Sequence, residues 1–119
     1  MPRRERLTAS AEFQALFHRG KRIDRPSFLV LWAEGDHARR VGFAVSRRMS
    51  RAVDRNRIRR RLREAYRATR DSAPVTAAMV VVGKQRVLEM KFGALVEELQ
   101  GVFATMSASA SVRAGDSQP

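Results

Sequence analysis

Between positions 47 and 70 the chain carries eleven arginines and only two acids, Asp54 and Glu64, so internal salt bridges cannot neutralise this segment. At 100° per residue, Asn56, Arg60, Arg63 and Arg67 fall at i, i+4, i+7 and i+11 on one side of a helix, flanked by Arg57, Arg59 and Arg70. Ile58, Leu62, Ala65, Tyr66 and Thr69 share a separate arc of about 100°, the width of a helix face that docks on a sheet. Like charges at i, i+4 each destabilise a helix by about 0.2–0.5 kcal/mol, and several such pairs accumulate here. A sequence tolerates that repulsion when a polyanion compensates it. The chemistry on offer is phosphate recognition, because a guanidinium meets phosphate with a planar fork of donors and also stacks on bases.

A solvated charged face usually mixes signs, and this one does not. A basic amphipathic helix can lie on a membrane, but that requires an apolar face free to enter lipid. Here the face is narrow, ends in Ala and Thr, and is needed for docking. Duplex DNA remains open, since a helix can enter a major groove. Arginine-rich loops and paired aromatics suit folded RNA with single-stranded segments better. Phe13 and Phe17, at i, i+4, are either core residues or a platform on which unpaired bases stack, each base contributing about 1–3 kcal/mol.

Catalytic constellations are missing from the sequence. His18 and His37 stand apart, the twelve carboxylates follow no metal-ligand spacing, and the adjacent Glu97 and Glu98 point to different sides of a helix. There is no Gly-rich phosphate loop, and without cysteine there is no thiolate nucleophile, thiolate metal site or disulfide. The residues describe a binder with no catalytic or metal-ligating side chains of its own.

The elements that must position the stripe follow from local pattern. Ser10 can cap a short helix carrying Phe13, Leu16 and Phe17 and closed by Gly20. Strand formers at 27–34 and 41–46, with a polar EGDHAR segment between them, predict an antiparallel hairpin. After a basic loop, Asp54 can cap the arginine helix, which runs to about Arg70. AAMVVVG at 77–83 is a continuous β-branched run, expected of a central strand buried on both faces. Leu95, Val96, Leu99, Val102, Phe103 and Met106 line a final amphipathic helix, and SASASVRAGDSQP beyond it predicts a disordered tail. One domain over residues 1–106 and a tail over 107–119 account for the 119 residues, with helices packed on a small mixed sheet. A net charge of +12, with 21 Arg and 3 Lys, fits attraction to nucleic acid. No signal-like or membrane-length apolar stretch occurs, so a cytoplasmic location and no membrane partner are expected.

The block RVGFAVSRRMSRAVDRNRIRRRLREAYR, residues 40–67, resembles the signature of the bacterial ribonuclease P protein component. The shared elements are a strand ending in Val45-Ser46 with basic Arg47 and Arg48, a loop with Ala52-Val53, then Arg55-Asn56-Arg57 followed by Arg59 and Arg60. Upstream, RLTASAEFQALFHRGKR resembles the family's opening helix and Gly turn; downstream the likeness continues through VVVG and the last helix, to about Met106.

The resemblance implies an α/β (α+β) sandwich with a four-stranded sheet, one strand more than local pattern gives, about three helices, and a left-handed βαβ crossover against the usual right-handed rule. It also implies a function: the protein subunit of a ribonucleoprotein endonuclease that removes the 5′ leader of precursor tRNA, with catalysis by the RNA subunit and its Mg2+. One protein per RNA is then expected, and the RNA subunit and precursor tRNA are the partners. Carried over by position, Arg47, Arg48, Arg51, Arg55, Asn56, Arg57, Arg59, Arg60 and Arg63 would meet the catalytic RNA, and Arg67 extends the same stripe. Phe13 and Phe17 match aromatics of the leader cleft, and a cleft aromatic on the first long strand aligns with Leu31 or, after a one-residue slip, with Trp32. Period-2 alternation puts those two on opposite faces. The runner-up is a general RNA-binding module, ribosomal or chaperone-like, without processing activity.

Overall fold

A computed structural model of the chain describes residues 10–34, 39–45 and 51–116, with backbone alone at 10–13, 17 and 109–116. Among these residues three helices and four strands follow in the order α1 (Ser10–Arg19), β1 (Lys21–Asp24), β2 (Phe28–Glu34), β3 (Arg40–Val45), α2 (Ala52–Thr69), β4 (Ala77–Gly83) and α3 (Phe92–Asp116). Short 3-10 turns at Arg70–Ser72 and Gln85–Leu88 flank β4.

The sheet order is β1-β2-β4-β3. β4 pairs antiparallel with β2 and parallel with β3, so AAMVVVG is an interior strand, with only Val82 among its side chains short of full burial. The antiparallel hairpin expected of 27–34 and 41–46 does not form: β4 is inserted between those strands. An apolar run buried on both faces needs a ladder on both edges, and it takes one from each. β2 instead forms its hairpin with β1, whose KRID sequence alternates half-buried and exposed residues too briefly to announce a strand.

Two-residue alternation divides the sheet into two cores. On one side Phe28, Val30, Trp32, Met79 and Val81 meet Ile58, Leu62 and Tyr66 of α2 and Leu99, Phe103 and Met106 of α3. Full burial of one large apolar side chain contributes about 1.5–3 kcal/mol, and this core holds most of them. Tyr66 stands edge-on between Phe43 (5.8 Å) and Phe103 (6.2 Å), and this desolvation pushes its hydroxyl pKa up. On the other side Leu16 of α1 covers Leu31 and Val80, while Leu29, Ala33, Ala44 and Val82 stay partly open.

α2 begins two residues before the expected cap: its N-cap is Arg51, and Asp54 sits inside the first turn, where a carboxylate still favours the helix dipole. α3 continues to Asp116, past the Met106 boundary where the sequence predicts a disordered tail. Ala-rich, Ser-spaced sequence supports helical backbone, and Met106 is the last buried apolar residue among the described side chains of α3. No helix among the described residues is long and apolar enough to cross a membrane.

Candidate nucleic-acid interface

The buried residues of α2 are Ile58, Leu62, Ala65, Tyr66 and Thr69, the set its periodicity gives. Thr69 fits in the core because its hydroxyl donates to the carbonyl oxygens of Ala65 (2.9 Å) and Tyr66 (3.2 Å). Docking is close. Ile58 and Leu62 lie against Gly83 at the end of β4, where an added Cβ would stand 2.3 Å from Ile58 Cγ2.

With that face committed, Asn56, Arg57, Arg60, Arg63 and Arg67 are exposed, and Arg55 and Arg59 half-buried. Asp54 Oδ2 lies 4.0 Å from Arg51 Nε and Asp54 Oδ1 lies 3.9 Å from Arg57 Nη1, both loose surface contacts of small energetic worth. Arg60, Arg63 and Arg67 have no carboxylate within ion-pair distance among the described residues. The stripe therefore keeps its positive charge toward solvent. Asn56 Oδ1 accepts a hydrogen bond from Arg59 Nη1 (3.3 Å), which fixes the neutral amide among the cations.

Not every arginine is available. Arg61 Nε donates to the Val87 carbonyl (3.1 Å) and its Nη2 to that of Met90 (2.6 Å), tying α2 to the turn that precedes α3. Arg39 Nη1 donates to the carbonyls of Arg70 (3.1 Å) and Ala73 (3.2 Å), placing a cation at the C-terminal end of α2. Composition cannot separate these two from the stripe, because the carbonyls they hold are 26 to 34 residues distant in sequence.

For the second group of expected contacts, the structure separates the two aligned candidates. Leu31 lies on the α1 side, fully buried beneath Leu16. Trp32 lies in the α2/α3 core, 2% exposed, with Lys21 Nζ 4.9 Å from its ring centroid. Side chains so enclosed offer no face to a nucleotide, so Leu31 and Trp32 are both core residues, on opposite sides of the sheet. Phe13 and Phe17 are both on α1, and their side chains lie outside the described residues, as do Arg47 and Arg48 entirely.

The α1 side also carries an open cavity of about 440 Å3 lined by Arg22, Asp24, Leu29 and Lys84. None of these four stands out in the sequence, because the cavity depends on β1, which local pattern misses. No group of three or more His, Asp or Glu side chains among the described residues is placed to hold a metal ion.

A family model described as Ribonuclease P matches residues 1–107. The ribonuclease P protein component of Desulfovibrio desulfuricans is 42% identical over 93 residues, covering 75% of this chain and 71% of the relative. That of Gluconacetobacter diazotrophicus is 38% identical over 102 residues, covering 82% and 87%. Among solved structures, the RNase P protein from Thermotoga maritima superposes with a TM-score of 0.73 at 26% identity, over 83% of this chain and 94% of that one. The Staphylococcus aureus RNase P protein gives 0.72 at 23% identity, over 86% and 94%, a likeness of fold.

Proposed function

The chain belongs to the ribonuclease P protein family, and from that premise we propose that its two sides divide the enzyme's RNA between them. A ribonuclease P protein component works with an RNA subunit. The α2 stripe, Asn56, Arg60, Arg63 and Arg67 with Arg51, Arg55, Arg57 and Arg59, and the preceding Arg47 and Arg48, contacts that subunit. The α1 side of the sheet, with Phe13 and Phe17 on α1, seats the single-stranded 5′ leader of precursor tRNA. One protein serves one RNA, in the cytoplasm where precursor tRNA is made.

Cleavage belongs to the RNA subunit and its Mg2+, which would activate the attacking water and stabilise the leaving oxygen. The protein contributes charge and position. Its arginines lower the repulsion between two phosphate backbones, and its cleft holds the leader so that the scissile phosphate reaches the RNA's metal site. The observation that carries this reading is the separation of faces on α2: the apolar arc is used in docking and the cationic stripe is left to solvent. A general RNA-binding module would present the same stripe, and membership of the family decides against it.

Each phosphate neutralised adds about −0.7 to −0.9 to the log-log salt slope of binding. In the reconstituted enzyme, precursor tRNA with a leader should therefore show a steeper slope than leaderless tRNA. Equal slopes would remove the leader from the protein's contacts.

A further inference from the structure

The cavity on the α1 side has a definite construction. Asp24 pairs with Leu29 and Leu29 with Val82, so two-residue alternation turns Arg22, Asp24, Leu29 and Lys84 toward the same side of the sheet. Lys84 Nζ stands 2.5 Å from Asp24 Oδ1 and donates to the Arg25 carbonyl at 2.8 Å. Its own backbone N–H donates to the Ser27 carbonyl at 2.9 Å, so the lysine is anchored independently of Asp24. The Asp24 side chain is 71% exposed and that of Lys84 is 39% exposed.

An apolar floor, Leu29, with two cations and one carboxylate above it suits a ligand that is part apolar and singly anionic. A nucleotide in a phosphodiester chain has that chemistry. The location agrees: Val45 of β3 pairs with Gly83 of β4, so the chain leaves β3 for the basic segment preceding α2 at the same sheet end as Lys84. The cavity thus lies at the sheet end where Ile58 of α2 docks on Gly83, on the opposite face from α2.

We propose that Asp24 is a resident competitor in this cavity, occupying Lys84 until the phosphate of a leader nucleotide seated over Leu29 displaces it. The proposal rests on the leader reading above and adds a regulating residue to it. An exposed ammonium–carboxylate pair is weak and exchanges readily, and a polyanion that replaces it also releases counterions. The hydrogen bond from Lys84, ahead of the attraction of Lys84 and Arg22, holds the Asp24 carboxyl below its ordinary range, so the competitor is ionised at neutral pH. Asp24 then limits how tightly a leader is kept, before cleavage and after it.

The test uses the full chain assembled with ribonuclease P RNA, measuring affinity for precursor tRNA with and without a leader over a range of salt. Asp24→Asn and Asp24→Ser should each strengthen binding of the leadered substrate about two- to fivefold, the range set by an exposed ion pair, and leave leaderless tRNA unchanged. Lys84→Gln should flatten the leadered slope by about 0.7 and cancel the gain from Asp24→Asn in the double variant. A purely structural role for the pair would lower the thermal midpoint and weaken binding in every variant. If wild type distinguishes leadered from leaderless tRNA but neither Asp24 variant tightens binding, the competitor is refuted alone. If wild type binds both substrates equally, the leader reading fails and takes this seat with it.

Discussion

Gly83 and Ile58 are in such close contact that a Cβ on the glycine would stand 2.3 Å from Ile58 Cγ2 and 2.9 Å from Leu62 Cδ1. The end of the central strand and the first turns of the cationic helix are therefore seated directly on one another, and the glycine sets how closely α2 approaches the sheet. The direction in which the cationic stripe faces depends on that seat.

Gly83→Ala should cost about 1–3 kcal/mol in urea or thermal unfolding, because overpacking forces α2 outward. Gly101→Ala provides the internal contrast. Gly101 is an exposed position inside α3 with nothing within 4 Å of an added Cβ, so its replacement should stabilise by about 0.5–1 kcal/mol.

Arg60 and Arg61 are neighbours with different work. Arg61→Ala removes charge-assisted hydrogen bonds to the Val87 and Met90 carbonyls and should cost about 1.5–3 kcal/mol of stability. Arg60→Ala, at an exposed position, should change stability by no more than about 0.5 kcal/mol. In RNA-subunit binding Arg60→Ala should flatten the salt slope by about 0.7–0.9. Unfolding curves and salt titrations of the two variants check both halves.

Asn56→Ala should weaken RNA-subunit binding with little change in salt slope, since a neutral amide contributes hydrogen bonds and no counterion release. Its Oδ1 already accepts from Arg59, so the substitution also frees that guanidinium from its fixed position. Loss of a whole unit of slope would mean that Asn56 acts only by arranging its charged neighbours.

Trp32→Ala should destabilise by about 3–5 kcal/mol, as expected for a large side chain only 2% exposed. Trp32→Phe, which keeps most of the volume, should fold and bind leadered substrate as wild type does. A specific loss of leader affinity in Trp32→Phe would contradict the placement of Trp32 in the α2/α3 core.

The buried set of α2 was legible because a helix repeats its face every 3.6 residues, and nothing else in the chain competes for Ile58, Leu62 and Tyr66. The central position of β4 was legible because a β-branched run without polar alternation can only be covered on both faces. Pairing was not legible: local pattern joins 27–34 to 41–46, while the sheet places β4 between them and gives β2 the four-residue β1 as its hairpin partner. The resemblance supplied the fourth strand without saying which residues form it. Leu31 and Trp32 could not be told apart until register fixed the face of each. Arg61 and the Arg22–Asp24–Leu29–Lys84 cavity stayed hidden for the same reason, since both are made by residues far apart in sequence.

On the proposed function, this chain supplies position and charge to an RNA that performs the cleavage. Adding the purified protein to bacterial ribonuclease P RNA at low Mg2+ tests it most directly, with precursor tRNA as substrate and 5′-leader release as the readout. Cleavage should rise with the protein and be absent when the RNA subunit is omitted at any Mg2+ concentration. Cleavage by the protein alone, or no stimulation of the RNA, would contradict it.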